Sequence, residues 1–288
     1  MEIKNKNSYH DKLYNLDQIK SIITTNALTR PNQFNEKYLK APDFDVKEYT
    51  DYWKLNWDEF IVASDAHSPF TREETFNLMI KVALKYKIKK FIHAGDFWNQ
   101  DQFSNWWVAK EDLIDFNKEV KRCEEIIRVL LGTFDEVRFF MGSHDLRFWR
   151  MQYDMGKASE FDDIWGLIDT NLFKRIKLSK YRFCEVGDFR ITHPKNVLRI
   201  GGYPAIKLFA KHGKSIIFGH GHWWGHTFAP DGIHHIIAPG CLVDKNQIAY
   251  KSVWDTSHDE WVPGFCVILE KNKPQLFSES TPLGLYFK

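Results

Sequence analysis

Phe91-Ile92-His93-Ala94-Gly95-Asp96-Phe97-Trp98-Asn99 is the stretch on which the reading of this chain turns. Phe91 to Ala94 have strand character and run through Gly95 into a carboxylate, Asp96, with no Lys or Arg close by in sequence to pair it. A strand that delivers an acid to its C-terminal end is a common way for an α/β sheet to present chemistry. A single Gly-Asp after an apolar run is more often a turn, but four other apolar runs here also end in His or Asp. They are 61–64 before Asp65-Ala66-His67, 137–141 before Gly142-Ser143-His144-Asp145, 189–192 before His193, and 215–218 before Gly219-His220-Gly221-His222. Their spacing is irregular, which predicts one site assembled from five loops and not a repeated binding unit.

Around that frame the chain reads as an alternation of strands and helices. Strands are expected at 60–64, 90–94 and 136–141, with helices over 72–87 and 104–131 between them, a pattern that predicts parallel pairing with right-handed crossovers. Thr71 with Glu74 three residues on has the form of a capping box for the first helix. An irregular aromatic and acidic segment, 147–170, is placed at a pocket rim. The second half predicts strands at 181–186, 189–192, 215–219, 225–229, 233–238 and 264–269, with a helix over 203–211. Gly187-Asp188 and Asp231-Gly232 are hairpin signals. The fold class is therefore α/β: one domain, 58–288, with two facing sheets. Residues 1–57, with polar stretches around Pro31 and Pro42, read as an N-terminal extension that packs on it.

Composition narrows the classes. The 288 residues are 43% hydrophobic and 27% charged, ordinary for a soluble globular protein, while an aromatic content of 16% is high. A net charge of +2 excludes the whole-protein basic field of an avid nucleic-acid binder. Cys123, Cys184, Cys241 and Cys266 are too scattered for a metal knuckle or a disulfide framework and read as buried core thiols of a reduced compartment. The start of the chain is polar and no apolar run approaches 18 residues, so a cytoplasmic protein that neither crosses nor enters a membrane is expected.

The strand-end residues Asp65, His67, Asp96, His144, Asp145, His193, His220 and His222 are carboxylates and imidazoles without cysteine. That is the ligand set of a hydrolytic Mn²⁺, Fe or Zn²⁺ site and not of a structural zinc. Side chains two apart on a strand share a face, so Asp65 with His67, and His220 with His222, are each expected to grip one centre.

In order and type these motifs resemble the calcineurin-like metallophosphoesterase superfamily, whose pattern is Asp-x-His, Gly-Asp-x-x-Asp/Asn, Gly-Asn-His-Asp/Glu, a single His and Gly-His-x-His. The match spans 61–222. The resemblance implies a two-sheet β-sandwich flanked by helices (αββα) and two divalent metal ions, Mn foremost with Fe, Zn or Ni as alternatives. It implies that Asp65, His67 and His222 hold the first metal, that His193 and His220 hold the second, and that Asp96 bridges both. It further implies His144 as general acid with Asp145 orienting its ring, and Asn99 as a substrate-binding residue. Hydrolysis of a phosphoester by a metal-activated water follows, with phosphodiesters such as nucleic acid or nucleotides as the expected substrates. Ser143 departs from the family, standing where the pattern has an Asn ligand, and a hydroxyl is a weaker ligand that would loosen the second metal.

Particular residues bear on other readings. Asn99-Gln100-Asp101 replaces the Asp-Arg-Gly of protein phosphatases of this superfamily, which disfavours that subclass. Phosphomonoester hydrolysis remains an alternative, as does a catalytically weakened scaffold, although a scaffold has no need of His144 and Asp145. His226, four residues after His222, is similar in placement to a metallo-β-lactamase ligand, but that motif needs Asp where Trp224 stands. Lys195, Arg199, Lys207, Lys211 and Lys214 read as a solvated face.

Overall fold

A computed structural model describes residues 49–104, 110–154, 164–195, 203–248 and 261–281. The chain divides after Thr50 into two units, and the second, Asp51–Lys288, holds the described fold. Its strands are β1 (Lys54–Leu55), β2 (Phe60–Ala63), β3 (Lys90–His93), β4 (Glu136–Phe140), β5 (Lys177–Ser179), β6 (Phe183–Val186), β7 (Phe189–Thr192), β8 (Ser215–Phe218), β9 (Trp224–Phe228), β10 (His235–Pro239), β11 (Gly264–Leu269) and β12 (Lys273–Ser278). Its helices are α1 (Glu73–Tyr86), α2 (Phe116–Thr133), α3 (Arg147–Asp154), α4 (Thr170–Phe173) and α5 (Tyr203–His212).

Two mixed six-stranded sheets result, in the orders β12-β11-β2-β3-β4-β5 and β1-β6-β7-β8-β10-β9. The expected parallel pairing of β2, β3 and β4 is present, and both hairpin signals join antiparallel strands, β6 with β7 and β9 with β10. Strand alternation sorts the side chains into layers. Phe60, Val62, Ile92, Cys266 and Ile268 of the first sheet meet Phe189, Ile191, Ile217 and Ile237 of the second in one cluster. On the opposite face of the first sheet, Ile61, Phe91, Val137 and Val267 pack on Met79 and Val82 of α1 and Ile127 and Leu130 of α2. On the outer face of the second sheet, Ile216, Phe218 and Ile236 pack with Ala205, Leu208 and Phe209 of α5. Helix, sheet, sheet, helix is the expected α/β architecture. Burying one such side chain contributes about 1.5–3 kcal/mol, whereas exposed pairs such as Arg122–Glu73 contribute about 1 kcal/mol or less. The layers are held by their apolar faces.

Several local expectations are corrected. The second long helix begins at Phe116, with the Asp115 carboxylate accepting from Lys118 N as its cap; before it lie 3₁₀ turns at Asp101–Phe103 and Lys110–Asp112. The Thr71 capping box does not form, because Thr71 Oγ1 donates to the Ala66 carbonyl at 3.2 Å and Arg72 is the uncapped boundary residue. Part of the segment read as irregular, Arg147–Asp154, is helical. The short strands β1 and β5 escaped sequence reading, as did β12, an edge strand containing Pro274, which ordinary strand patterning argues against. All four cysteines are buried and free. Among the described residues no helix is long and apolar enough to cross a membrane.

Gly132 lies in the last turn of α2, and a Cβ built there meets nothing within 4 Å. Gly132→Ala is therefore expected to stabilise the fold by roughly 0.5–1 kcal/mol through helix propensity. Urea unfolding checks this, and a destabilised variant would contradict it.

Candidate metal centre

The five motif loops leave the C-terminal ends of β2, β3, β4, β7 and β8. Beyond the sheet, Asp65 N donates to Gly95 O at 2.9 Å and His67 N to Asp96 O at 3.0 Å, so the first two loops run on side by side. Their backbones leave the extended region. Asp65, His67, Asp96, His220 and His222 all have φ between 42° and 75°, and they are five of the nine non-glycine residues with positive φ among those described. Such conformations cost energy and cluster where a site demands particular side-chain directions. Close approach explains the motif glycines: a Cβ on Gly142 would lie 2.0 Å from Asp96 Oδ1, and one on Gly95 2.5 Å from His193 Nδ1.

Three groups of possible ligand atoms converge: Asp65, His67 and His222; Asp96, His193 and His220; and His67, Asp96 and His144. His222 Nε2 is 3.2 Å from Asp65 Oδ1 and 3.3 Å from His67 Nε2, while His193 Nε2 is 3.2 Å from Asp96 Oδ2 and 3.1 Å from His220 Nδ1. The left-handed backbone separates His220 from His222: instead of gripping one centre together, each joins a different group. His193 Nδ1 faces the Ala94 carbonyl at 2.9 Å. A carbonyl can only accept, so Nδ1 carries a proton, and Nε2, which faces the Asp96 carboxylate, is the nitrogen that a metal would take in place of its own proton. Two buried carboxylates and four imidazoles, oxygen and nitrogen donors without thiolate, fit a divalent transition metal.

Charge is balanced locally. Burial opposes ionisation of Asp65 and Asp96, but the His222 imidazole at Asp65, and His193 with the His193 and His220 hydrogen bonds at Asp96, hold both below the ordinary carboxylate range. Burial lowers His193, yet the Asp96 carboxylate outweighs it and the net shift is upward. His67 is pushed down to about 4 by burial and by His222.

Asp145 does not touch the His144 ring in the expected way. Its carboxylate accepts from Asp96 N at 2.8 Å, Gly142 N at 2.7 Å and Trp98 N at 2.9 Å. Burial and the nearby Asp96 charge push it up to about 7. The contact that orients His144 comes from the Asn99 carbonyl, 2.9 Å from Nδ1, which leaves Nε2 as an acceptor for Arg147 Nη2 at 3.0 Å. Burial and the neighbouring His67 hold His144 well below its usual range, so the ring is neutral as it stands. Ser143 Oγ donates to Asp96 Oδ2 at 3.0 Å. Asn99 is buried, and among the described residues its side-chain Oδ1 has no hydrogen-bond partner. His226 lies away from the centre on β9, its Nε2 2.9 Å from His235 Nδ1. Trp98 is a core residue, Lys207 and Lys211 are exposed on α5, and Trp106, Trp107 and Arg199 lie outside the described residues.

Solved structures resemble this chain. Vps29 of Chaetomium thermophilum aligns at 11% identity over 77% of this chain and 100% of its own, with a TM-score of 0.43. Vps29 of Cryptosporidium parvum aligns at 12% identity over 77% and 98%, with a TM-score of 0.40. Wild-type Vps29 of Entamoeba histolytica, complexed with zinc, aligns at 14% identity over 78% and 94%, with a TM-score of 0.39. Vps29 is a protein of the calcineurin-like metallophosphoesterase fold. At these scores the likeness carries no argument about activity, and the fold assignment here rests on sheet order and layering. No family model and no curated protein matches the sequence.

Sequence reasoning missed Arg147 and Glu119. Arg147 follows His144 by three residues at the start of α3 and also binds the Asn99 carbonyl and Asp101 Oδ1, at 2.9 and 2.7 Å. That one-turn spacing was its available signal. Glu119 carried none, reading as an ordinary acid of α2. It is buried, and its Oε1 accepts from Asn99 N and Gln100 N, each at 2.9 Å.

Burial raises Glu119 from 4.5 to about 7. An acid with a raised folded pKa binds its proton more tightly in the folded state, so its contribution is most favourable below pH 4.5 and is lost as pH rises to about 7. Over that interval the wild type is expected to lose about 3 kcal/mol relative to Glu119→Gln, which keeps the acceptor oxygen but cannot ionise. Denaturant unfolding at either end of the interval tests this, and parallel pH profiles would contradict it.

Proposed function

We propose that this chain is a metal-dependent phosphoester hydrolase of the cytoplasm, acting on phosphodiesters such as nucleic acid or nucleotides. The observation that carries the reading is the convergence of Asp65, His67 and His222 with Asp96, His193 and His220 at four strand ends. These residues would hold two divalent ions, Mn foremost with Fe, Zn or Ni as alternatives, and Asp96 would serve both. When bound, the metals would supply Lewis acidity to the phosphoryl group and lower the pKa of water.

The chain's own residues supply the rest. Asn99 fixes the His144 ring through its carbonyl, and Arg147 rests on Nε2. A substrate phosphoryl group draws Arg147 to its oxygens and, through its negative charge, favours uptake of a proton from solvent at the freed Nε2. His144 then donates that proton to the leaving oxygen.

A second reading is a phosphoesterase-fold binding protein with weakened catalysis. The closed contacts favour it: Ser143 Oγ is engaged with Asp96 and His144 Nε2 with Arg147. Hydrolysis of an activated nitrophenyl diester, an unactivated dinucleotide and a nitrophenyl monoester by Mn²⁺-loaded protein decides between the readings. His144→Ala is expected to slow the dinucleotide by roughly 10²–10⁴-fold and to spare the nitrophenyl diester. Equal loss on both would remove His144 as the acid; an inert wild type that still binds metal would establish the binding protein.

A further inference from the structure

Arg182 stands immediately before β6, and the β6–β7 register sets its position. Phe183 pairs with Thr192 in an antiparallel ladder, so the next step places Arg182 opposite His193, whose N–H donates to the Arg182 carbonyl at 2.9 Å. Directly opposed residues of such a pair raise their side chains from the same face. The Arg182 side chain therefore leaves the backbone beside the His193 imidazole.

Its Nε and Nη2 are both out of contact with water, and among the described residues neither has a hydrogen-bond partner. Burial works against the guanidinium charge, and the other charges that reach it are those of Asp96, Arg150 and Asp145. Arg147, by contrast, is committed to Asp101, the Asn99 carbonyl and His144. Nε–H and the neighbouring Nη2–H form one edge of the guanidinium, two parallel donors spaced for two oxygens of a carboxylate or phosphate. Withdrawing both from water with nothing to receive them is costly unless a ligand completes the pair.

We propose that Arg182 is the oxyanion receptor of this centre, its Nε–Nη2 edge binding two non-bridging oxygens of the phosphoryl group that is cleaved. This specificity-determining contact rests on the phosphoester reading above. It adds a charged, bidentate contact on the His193 side, where the sequence motifs place none.

Inorganic phosphate is the probe, titrated calorimetrically and by thermal unfolding into wild type, Arg182→Met and Arg182→Lys, each with Mn²⁺ and after chelation. Arg182→Met keeps the apolar stem without the charge. It is expected to weaken phosphate binding by roughly tenfold or more, the fold-change of one charge-assisted hydrogen bond. Without phosphate it should unfold at a higher temperature than wild type, and phosphate should raise the wild-type transition more than that of the variant. Arg182→Lys should fall between them. Phosphate binding unaltered in both variants would overturn the proposal, as would no phosphate response in the wild type or a phosphate-free Arg182→Met less stable than wild type. A wild type that takes up no Mn²⁺ would defeat the hydrolase reading separately, while an Arg182-dependent phosphate response in the same series would uphold the receptor.

Discussion

Three backbone N–H groups, those of Asp96, Trp98 and Gly142, converge on the one buried carboxylate of Asp145. Through it the loops after β3 and β4 become a single piece of structure. Asp96 is held in a left-handed conformation with φ 54°, and its carboxylate meets His144 N at 2.7 Å where Gly142 leaves room. Charge-assisted hydrogen bonds of this kind contribute about 1.5–3 kcal/mol each, enough to offset the backbone strain of about 1–3 kcal/mol per such residue. The position of Asp96 between the two ligand groups depends on this arrangement.

The same economy governs the charges. Among the described residues, no Lys or Arg side chain is bonded to the buried Asp65 or Asp96, and the imidazoles of His222 and His193 stand against them. In the resting protein Asp96 favours a proton on His193; a divalent cation would take that place and satisfy the imidazole lone pair and the carboxylate together. The Ser143 hydroxyl contributes differently. It donates to the same Asp96 oxygen that faces His193. The charges of Arg147 and Arg182 both reach these groups, one guanidinium bound to protein acceptors and the other with two donors that have no hydrogen-bond partner among the described residues.

Much of this was legible in the residues. Strands that end in Asp or His, in parallel order, set the α/β fold and put Asp65, His67, Asp96, His193, His220 and His222 at one end of it. What could not be read depends on geometry that no short pattern carries. A carboxylate beside His144 suggests a ring-orienting partner, yet consecutive side chains diverge, and Asp145 turns inward to the backbone while Asn99 takes its place. The split of His220 from His222 follows from positive φ at both, which a period of two does not anticipate. Glu119 reaches the site from a helix, and β1, β5 and β12 are too short or too polar to show periodicity.

The central claim is that one carboxylate, Asp96, serves both groups of ligands. Elemental analysis of wild type and Asp96→Ala, each equilibrated with Mn²⁺ and freed of excess, tests it most directly, with circular dichroism to confirm that both are folded. If Asp96 serves both groups, folded Asp96→Ala is expected to lose most of its metal, since both would lose a shared oxygen donor; equal metal content in the two proteins would contradict it.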